Sequence, residues 1–314
     1  MGYLYETNNW NNYDEHKSFD ENKQNDAIVV KEKMDNIENG IYANSVDLYA
    51  TQSYYEGVDL TVKFSDEISQ YTNAFAWIKA RCKAKNWKGL HVGDYIPLRF
   101  STGIIYNMQI AGIDTYYSPD ITAGGAWTGN PNKYHMIDFV ADKAYGLVKW
   151  NLTQNNNGTS TEPYSYRASN LYNVLNGTVY NQIPQDVREL IAVKYLPITK
   201  KYNSSYVLYN PSNSDNVPIG KIWTLCLDEI GASHFTNSDI RCNGLYYPLM
   251  GRPDRRVLKF AGYSFSANYI WLIDTKYNDT TGAYWVDKYT SKCTGGYFTD
   301  FNACSYVGFR IQGD

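Results

Sequence analysis

The stretch AIVVKEKMDNIENGIYANSVDL, residues 27–48, places its core positions at alternating spacings of three and four. This pattern predicts a helix wound at 3.5 residues per turn, whose apolar stripe is buried only against partner helices. We call this set the seam, and its members are Ala27, Val30, Met34, Ile37, Ile41, Asn44 and Leu48. The seam therefore predicts that the chain assembles with copies of itself.

The seam also indicates how many copies assemble. Val30 and Ile37 occupy the d positions, where β-branched residues favour three or four strands over a parallel dimer. Asn44 is a polar core residue that fixes the register of the helices. The alternative is an ordinary amphipathic helix packed on its own domain. The nearly uniform polarity of residues 7–26 favours the oligomer, because this stretch offers the helix little apolar surface.

The bulk composition excludes several classes of protein. The chain has 314 residues, a net charge of -3 and no clustered basic face of the kind that binds nucleic acid. The sequence contains no run of eighteen apolar residues, so it predicts no membrane span. The first twenty residues do not resemble a signal peptide. The 31 tyrosines are typical of recognition surfaces, although a codon bias toward A and T gives the same enrichment.

The five cysteines do not form a metal or redox motif. They are scattered along the chain and include no C-x-x-C pair, which excludes the common zinc and redox spacings. We expect most of them to be small buried side chains. Cys293 and Cys304, with ten residues between them, could alternatively pair in an oxidising compartment.

The chain divides into three predicted parts. Residues 1–26 form an extended polar arm, residues 27–48 the seam helix, and residues 59–314 one α+β domain. Within that domain we predict a helix that begins at Ser65 and continues to Cys82, and a helix that Ser169 caps and Asn176-Gly177 ends. A further helix opens at Pro184 and continues to Lys194. The predicted strands are 95–100, 105–110, 136–141 and, near the end, 306–311.

Several stretches, taken in order, resemble a domain of unknown function common in phages and prophages of low-GC Gram-positive and other gut bacteria. They are Phe75-Ala-Trp-Ile-Lys, Val92-Gly-Asp-Tyr-Ile-Pro-Leu, Ile110-Ala-Gly-Ile-Asp, His135-Met-Ile-Asp-Phe, Ser169-Asn-Leu-Tyr-Asn-Val-Leu-Asn, Ile222-Trp-Thr-Leu with Glu229-Ile-Gly, and Tyr306-Val-Gly-Phe-Arg-Ile. The closing Gly308-Phe309-Arg310 resembles the end of C-type-lectin-like domains of the formylglycine-generating and phage-tropism type. The Arg-Leu-Pro segment usual in those domains is missing here.

The lectin-like resemblance implies a fold and a binding face. It implies mixed antiparallel strands with flanking helices, a last strand that returns to the core beside the first, and exposed loops before that strand. The seam segment Lys31-Glu-Lys-Met-Asp-Asn-Ile-Glu-Asn-Gly-Ile41 resembles the short helix that trimerises many phage tail, baseplate and head-fibre proteins. Both resemblances imply a virion protein, and neither supplies a catalytic residue.

An aromatic stretch before the last strand is the candidate receptor or glycan site. Sugars and protein partners are bound by aromatic faces together with asparagine, and this stretch holds several tyrosines, one tryptophan and two asparagines. A tyrosine-rich core meander is the alternative interpretation. The candidate residues are Tyr277, Asn278, Tyr284, Trp285, Tyr289, Tyr297, Phe298 and Asn302.

Catalytic motifs are weak in this sequence. His135, Asp138, Asp114 and Asp94 suggest a metal site or a base pair, but positions 135 and 138 of a strand face opposite sides. Glu229 is the best single candidate for a glycosidase carboxylate, although a structural role is favoured. A basic segment with Arg252, Arg255 and Arg256 suggests an anion site or a solvated surface. We therefore expect no catalytic residue, no metal and no cofactor.

Together these features predict a bacteriophage structural protein on the particle surface, made in the host cytoplasm. It would be a tail-fibre, baseplate or head-fibre subunit that forms a homotrimer through the seam and attaches to other virion proteins through the arm. Its head would bind a host surface glycan or protein, with no nucleic-acid or membrane partner. The alternatives are a glycan depolymerase on the virion and a purely structural or decoration protein without host binding.

Overall fold

The structure of the chain is a computed structural model. It describes residues 16, 18, 20, 55–117, 133–154, 165–197, 200–202, 205–207, 216–231, 246–251, 259–260, 269–275, 282–287, 293–297, 299–300 and 303–314. Residues 1–55 with 88–91 form one compact unit, and residues 56–87 with 92–314 form a second. The fold below is that of the second unit. Apart from residues 16, 18 and 20 of the arm, the arm and the seam lie outside the described residues, so both stay predictions.

The described helices of the second unit are short. They are α1 (Leu60–Lys63), α2 (Ser65–Ile68), α3 (Ala74–Ala84), α4 (Asn170–Asn173), a π-helix (Val174–Val179), α5 (Tyr180–Gln182), α6 (Gln185–Arg188) and a 3₁₀ turn (Pro248–Gly251). Of the helices in the described ranges, none has the length and apolar character that crossing a lipid bilayer requires.

The strands carry most of the regular structure. They are β1 (Tyr95–Arg99), β2 (Ile105–Ile113), β3 (Met136–Ala141), β4 (Lys143–Ala144), β5 (Ile191–Ala192), β6 (Lys194–Pro197), β7 (Lys200–Tyr202), β8 (Ser205–Val207), β9 (Asn216–Gly220), β10 (Lys259–Phe260), β11 (Tyr269–Thr275), β12 (Gly282–Asp287), β13 (Cys293–Tyr297), β14 (Ala303–Ser305) and β15 (Gly308–Gln312). The predicted α+β class is confirmed, with mostly antiparallel sheets and few helices.

The core is organised by a five-stranded antiparallel sheet in the order β1-β2-β3-β15-β5. Every residue of β3 is buried, and so are the first four residues of β15. Apart from Asp138 and Arg310, the buried residues of these central strands are uncharged, because both faces of the sheet are covered. The sequence predicted β3 with its observed bounds, since a largely apolar run bounded by polar residues indicates a buried strand.

The two faces of this sheet bury different kinds of side chain. Phe139 and Phe309 are opposite each other in the β3–β15 register, and both rings contact Phe75 of α3, at centroid distances of 5.5 and 5.3 Å. The adjacent pair, Asp138 and Arg310, is also in register and therefore points to the other face. One face is thus an aromatic core under α3, and the other carries buried charge.

A second sheet has the order β13-β12-β11-β14, with β14 parallel to β11. Tryptophan side chains attach it to the segment that follows β4. The indole nitrogen of Trp150 donates to the carbonyl of Leu272, and that of Trp271 donates to the carbonyl of Val148. These two reciprocal bonds satisfy both buried indole donors and fix β11 against the core.

All three helix predictions are wrong in their extent. The helix predicted over 65–82 is broken into α2 and α3, because the side chain of Asn73 accepts a hydrogen bond from Ala76 and starts a new helix. Tyr71 lies in the break and is 41% exposed, although helical spacing would place it on the same face as Phe75. The helix after Ser169 has the predicted cap but continues as a π-helix past Asn176-Gly177.

The helix predicted to extend from Pro184 to Lys194 ends at Arg188. Ile191 instead pairs with Ile311 of β15, and Lys194 begins β6. Pairing with a strand distant in sequence therefore overrides the local helical period. The last strand spans Gly308–Gln312 and lies in the core as expected. Its neighbours are β3 and β5, however, whereas the lectin-like resemblance implies pairing with the first strand.

Candidate functional site

Asp138 and Arg310 form the centre of the main polar site of the described residues. The Arg310 guanidinium binds both oxygens of Asp138, with Nε at 2.7 Å from Oδ1 and a terminal nitrogen at 2.9 Å from Oδ2. Both side chains are 1% exposed. A buried charge is tolerated only when it is paired and hydrogen-bonded, and the two-point geometry of this pair meets that condition.

A second ion pair continues from the first. The Tyr247 hydroxyl donates to Asp138 Oδ2 at 2.8 Å and accepts from Lys194 Nζ at 2.8 Å. Lys194 also contacts Glu229 Oε1, and neither of these two side chains is exposed. We call Asp138, Arg310, Lys194, Glu229, Tyr247 and Tyr116 the charge cluster. The charges of its two acidic and two basic side chains cancel, so the cluster has no formal net charge.

Hydrogen bonds from uncharged groups complete the surroundings of Glu229. The Tyr116 hydroxyl donates to Oε1 at 2.5 Å, and the backbone N–H of Cys226 donates to Oε2 at 3.0 Å. The Lys194 ammonium lies 3.7 Å from the ring centroid of Trp223. Each oxygen of the carboxylate therefore has a donor, and the ammonium rests on an aromatic face.

Close backbone approaches position the aromatic members. Trp223 and Gly308 exchange backbone hydrogen bonds of 3.0 and 2.8 Å, and the indole covers Gly308 so closely that a Cβ there would lie 2.1 Å from the ring. Gly112 lies opposite Asp138 at a register shift in β2, next to the ring of Tyr247. Glycine at position 308 therefore leaves the space that the Trp223 ring occupies above Lys194. A Cβ at Gly112 would press first on Thr115, at 2.0 Å, and then on the Tyr247 ring, at 3.1 Å.

Charge and burial together set the protonation of the cluster. Burial by itself raises the pKa of Asp138, but the Arg310 charge and hydrogen bonds outweigh it and hold the pKa below its usual value. Burial, followed by the charge of Glu229, raises the pKa of Tyr116, and burial with Asp138 does the same for Tyr247. Both phenols therefore keep their protons and act as donors to the carboxylates.

We expect the protein to lose stability as the pH falls below about 4. The pKa of Asp138 is lower in the folded than in the unfolded state, so its stabilising contribution is fully present above the unfolded value. Below that value the unfolded chain takes up the proton first, and the contribution declines until the folded pKa is passed. Urea unfolding followed by tryptophan fluorescence between pH 7 and pH 2 measures this decline.

Two variants separate Asp138 from other carboxylates. Asp138→Asn should flatten the decline, because its side chain no longer titrates. Asp314→Asn is the matched control, since a hydrogen bond from Lys79 also lowers the pKa of Asp314, but that group is about half exposed and water screens it. An equal flattening in both variants would contradict the assignment to Asp138.

The sequence indicates individual members of the charge cluster but not the cluster itself. Asp138 and Glu229 were weak catalytic candidates, and neither is exposed. The sequence places Arg310 in the Gly308-Phe309-Arg310 motif and Lys194 at the end of a predicted helix. The available signal was a charged residue inside each of four apolar stretches, because isolated charges there need partners. Nothing in the sequence indicated which charge pairs with which.

His135 and Asp138 have different partners, as the strand geometry predicted. His135 Nδ1 lies 2.7 Å from Asp114 Oδ2, and its ring stacks on Tyr117 at 3.9 Å. The second oxygen of Asp114 accepts from the backbone of Met136. Asp94 is buried elsewhere and accepts from the backbone of Val58. The four side chains therefore do not converge, and in the described part of the chain no group of metal-ligand side chains could hold an ion.

Three residues of the predicted binding stretch lie within the described residues. Tyr284 and Trp285 are in β12 and are 8% and 7% exposed. The Trp285 ring stacks on Tyr269 at 4.0 Å and lies over Gly296 of β13. Tyr297, the last residue of β13, is 54% exposed. Tyr277, Asn278, Tyr289, Phe298 and Asn302 lie outside the described residues, as do Arg252, Arg255 and Arg256.

A disulfide between Cys293 and Cys304 is excluded by the second sheet. Cys304 is opposite Ile270, Ile270 is opposite Val286, and Val286 is opposite Cys293. Three strand spacings of about 4.8 Å separate the two cysteines, roughly 14 Å in total. A disulfide needs Cα atoms within about 7 Å of each other. Cys304 is accordingly a buried thiol, as expected for most cysteines here.

No protein-family model, curated protein or solved structure matches this chain.

Proposed function

We propose that this chain is a bacteriophage virion structural protein, a subunit of a tail fibre, baseplate or head fibre that displays a lectin-like receptor-binding head. The sequence supports this proposal through the seam, which favours a homotrimer, and through the motif order that resembles a phage domain. The head would bind a glycan or protein of the host surface, and the arm would bind other virion proteins. The observation that carries the binding role is the placement of Tyr297.

Tyr297 presents an aromatic ring at the end of β13, where its backbone is hydrogen-bonded to Asp300. Its N–H donates to Asp300 Oδ2 at 3.0 Å, and its carbonyl accepts from the N–H of Asp300 at 3.0 Å. More than half of the side chain is exposed at the end of β13. A stiff tyrosine with few side-chain torsions provides contact area at a low entropy cost, which is why binding surfaces favour it.

The sheet behind Tyr297 supports it as a platform. Trp285 is packed between the rings of Tyr269 and Trp271, at centroid distances of 4.0 and 4.8 Å. Buried stacked rings hold strands β11, β12 and β13 in one register. Each head then needs only a modest affinity, because three heads on one stem bind a repetitive surface with increased avidity.

Replacing Tyr297 with alanine should weaken binding to a bacterial surface polysaccharide about tenfold or more, as for an aromatic hot spot. The full-length protein is titrated against purified peptidoglycan, teichoic acid and capsular polysaccharide, with binding read by biolayer interferometry. Tyr71→Ala is the matched control, because Tyr71 is similarly exposed but lies between α2 and α3. Equal affinities of wild type and Tyr297→Ala would contradict the role of this residue.

The same samples test the alternatives. Release of reducing ends from any of these polysaccharides would indicate a depolymerase instead of a binding head. A protein that sediments at three times 36.0 kDa but binds none of the polysaccharides and no intact cells would indicate a purely structural subunit. A stable monomer at micromolar concentration would contradict the trimeric stem.

A further inference from the structure

We propose that Lys194 and Glu229 become joined by an isopeptide bond between Nζ and the side-chain carboxyl carbon. This modification would make the charge cluster a self-forming covalent crosslink. It would tie β6 to the segment before the 3₁₀ turn, across 35 residues of sequence. The inference does not depend on the proposed function, since it concerns only the chemistry inside the head.

The first support is the fixed contact between the reacting groups. Lys194 Nζ contacts Glu229 Oε1 directly, and neither side chain has any exposed surface. Contact with the carboxylate oxygen places the nitrogen near the separation of about 3–3.5 Å from the carboxyl carbon that near-attack geometry requires. Several partners hold both side chains, so reaching the reactive geometry costs little further conformational freedom.

The second support is the polarisation of the carboxyl group. The Cys226 N–H donates to Oε2 at 3.0 Å and would stabilise negative charge on that oxygen in a tetrahedral intermediate. The Tyr116 hydroxyl donates to Oε1 at 2.5 Å and would assist its departure. The raised pKa of Tyr116 keeps this proton in place. The two oxygens thus have separate roles, one retained and one leaving.

The third support is the position of the amine. Lys194 Nζ donates to the Tyr247 hydroxyl at 2.8 Å, which in turn donates to Asp138 Oδ2 at 2.8 Å. The aromatic rings of Trp223, Tyr247 and Tyr116 have centroids at 3.7, 4.8 and 4.9 Å from Nζ. A lysine in such a desolvated pocket is typical of those that act as nucleophiles.

The reaction balances without another reagent. The Lys194 ammonium passes two of its three protons to Glu229 Oε1, and the nitrogen electron pair forms a bond to the carboxyl carbon. The carbon–Oε1 bond breaks, and Oε1 leaves as water. The amide keeps one N–H, which can donate to Tyr247, and its carbonyl oxygen keeps the hydrogen bond from Cys226.

Burial favours the amide over the ion pair. Each buried ion carries a desolvation penalty of several kcal/mol, and an uncharged amide with satisfied hydrogen bonds avoids most of it. The other pair, Asp138 and Arg310, keeps its two-point contact and remains neutral overall. The amide therefore carries a smaller desolvation penalty in the core than the Lys194–Glu229 ion pair does.

A second close pair in the same chain provides an internal control. Lys79 Nζ also contacts a carboxylate, that of Asp314, but these side chains are 33% and 49% exposed. Water solvates both groups, so the ion pair is the stable form there. We expect no bond between Lys79 and Asp314, and the contrast isolates burial as the deciding factor.

Mass spectrometry of the full-length protein in denaturing solvent tests the proposal. The crosslinked chain should be lighter than its sequence by one water, about 18 Da, because the condensation expels Oε1. Lys194→Met should have the full mass of its own sequence. Lys143→Met is the matched control, since Lys143 donates to the carbonyl of Ile105 at an exposed site, and it should still lack one water. A wild-type mass that equals the sequence mass would overturn the proposal.

Tryptic digestion of the wild type locates the bond and does not rely on a folded variant. A branched peptide should join residues 189–200 to residues 222–241, with no cleavage after Lys194. Cleavage after Lys79 should be normal. Recovery of the two linear peptides, or a water loss mapped to any other pair, would equally overturn the assignment to Lys194 and Glu229.

Discussion

Replacing Arg310 with methionine should destabilise the folded protein by about 3–5 kcal/mol, because it leaves the Asp138 carboxylate buried without its partner. Arg310 supplies two hydrogen bonds, of 2.7 and 2.9 Å, to a side chain that is 1% exposed. Methionine fills much of the space of the Arg310 side chain but does not neutralise the Asp138 carboxylate. The free energy of unfolding, from urea titration at pH 7, measures the effect.

Two further variants decide whether charge pairing causes this loss. Combining Arg310→Met with Asp138→Asn should cost less than the sum of the single changes, since the double variant buries no unpaired ion. Lys79→Met removes the exposed pair with Asp314 and should cost no more than about 1 kcal/mol. Additive effects of the two buried changes would contradict the pairing argument.

Replacing Gly308 with alanine should cost about 3 kcal/mol, at the upper end of the usual range for overpacking a core. The new Cβ would lie 2.1 Å from the Trp223 ring, far inside van der Waals contact. The indole cannot simply move away, because Trp223 and Gly308 are tied by two backbone hydrogen bonds. One added methyl group must therefore displace either a central strand or the ring above Lys194.

Gly146→Ala is the matched control, since a Cβ at Gly146 meets nothing within 4 Å. We expect it to change the unfolding free energy by no more than about 0.5 kcal/mol. Trp223→Leu should partly rescue Gly308→Ala, because it removes the ring that clashes. If Gly308→Ala lowered the free energy of unfolding as little as Gly146→Ala does, the strand would have to adapt freely to the added methyl group.

Local signals predicted the parts of the fold that depend on neighbouring residues. The apolar run of β3 and the Ser169 cap are both set within a few residues, and both are observed. The segment after Pro184 shows where local signals fail. Its helical period is real, but Ile191 and Lys194 join strands because β15 and β9 offer pairing partners far along the chain.

The charge cluster could not be predicted from the sequence for the same reason. Asp138 and Arg310 are 172 residues apart, and Lys194 and Glu229 are 35 apart. Each charge in an apolar stretch signals that a partner exists, but register and sheet order select the partner. The aromatic stretch was recognisable by composition. Composition did not separate buried Trp285 from exposed Tyr297, because that difference depends on strand ends and on the ring packed over Gly296.

The insertion of β15 between β3 and β5 has a consequence for biosynthesis. A ribosome that has just completed β3 must add about 170 more residues before the neighbouring strand exists, which takes roughly 10 to 30 s at ordinary elongation rates. During that interval one edge of β3 has no native partner, and Asp138 has no guanidinium. We therefore expect the nascent chain to need chaperones or transient pairing to keep this edge from aggregating.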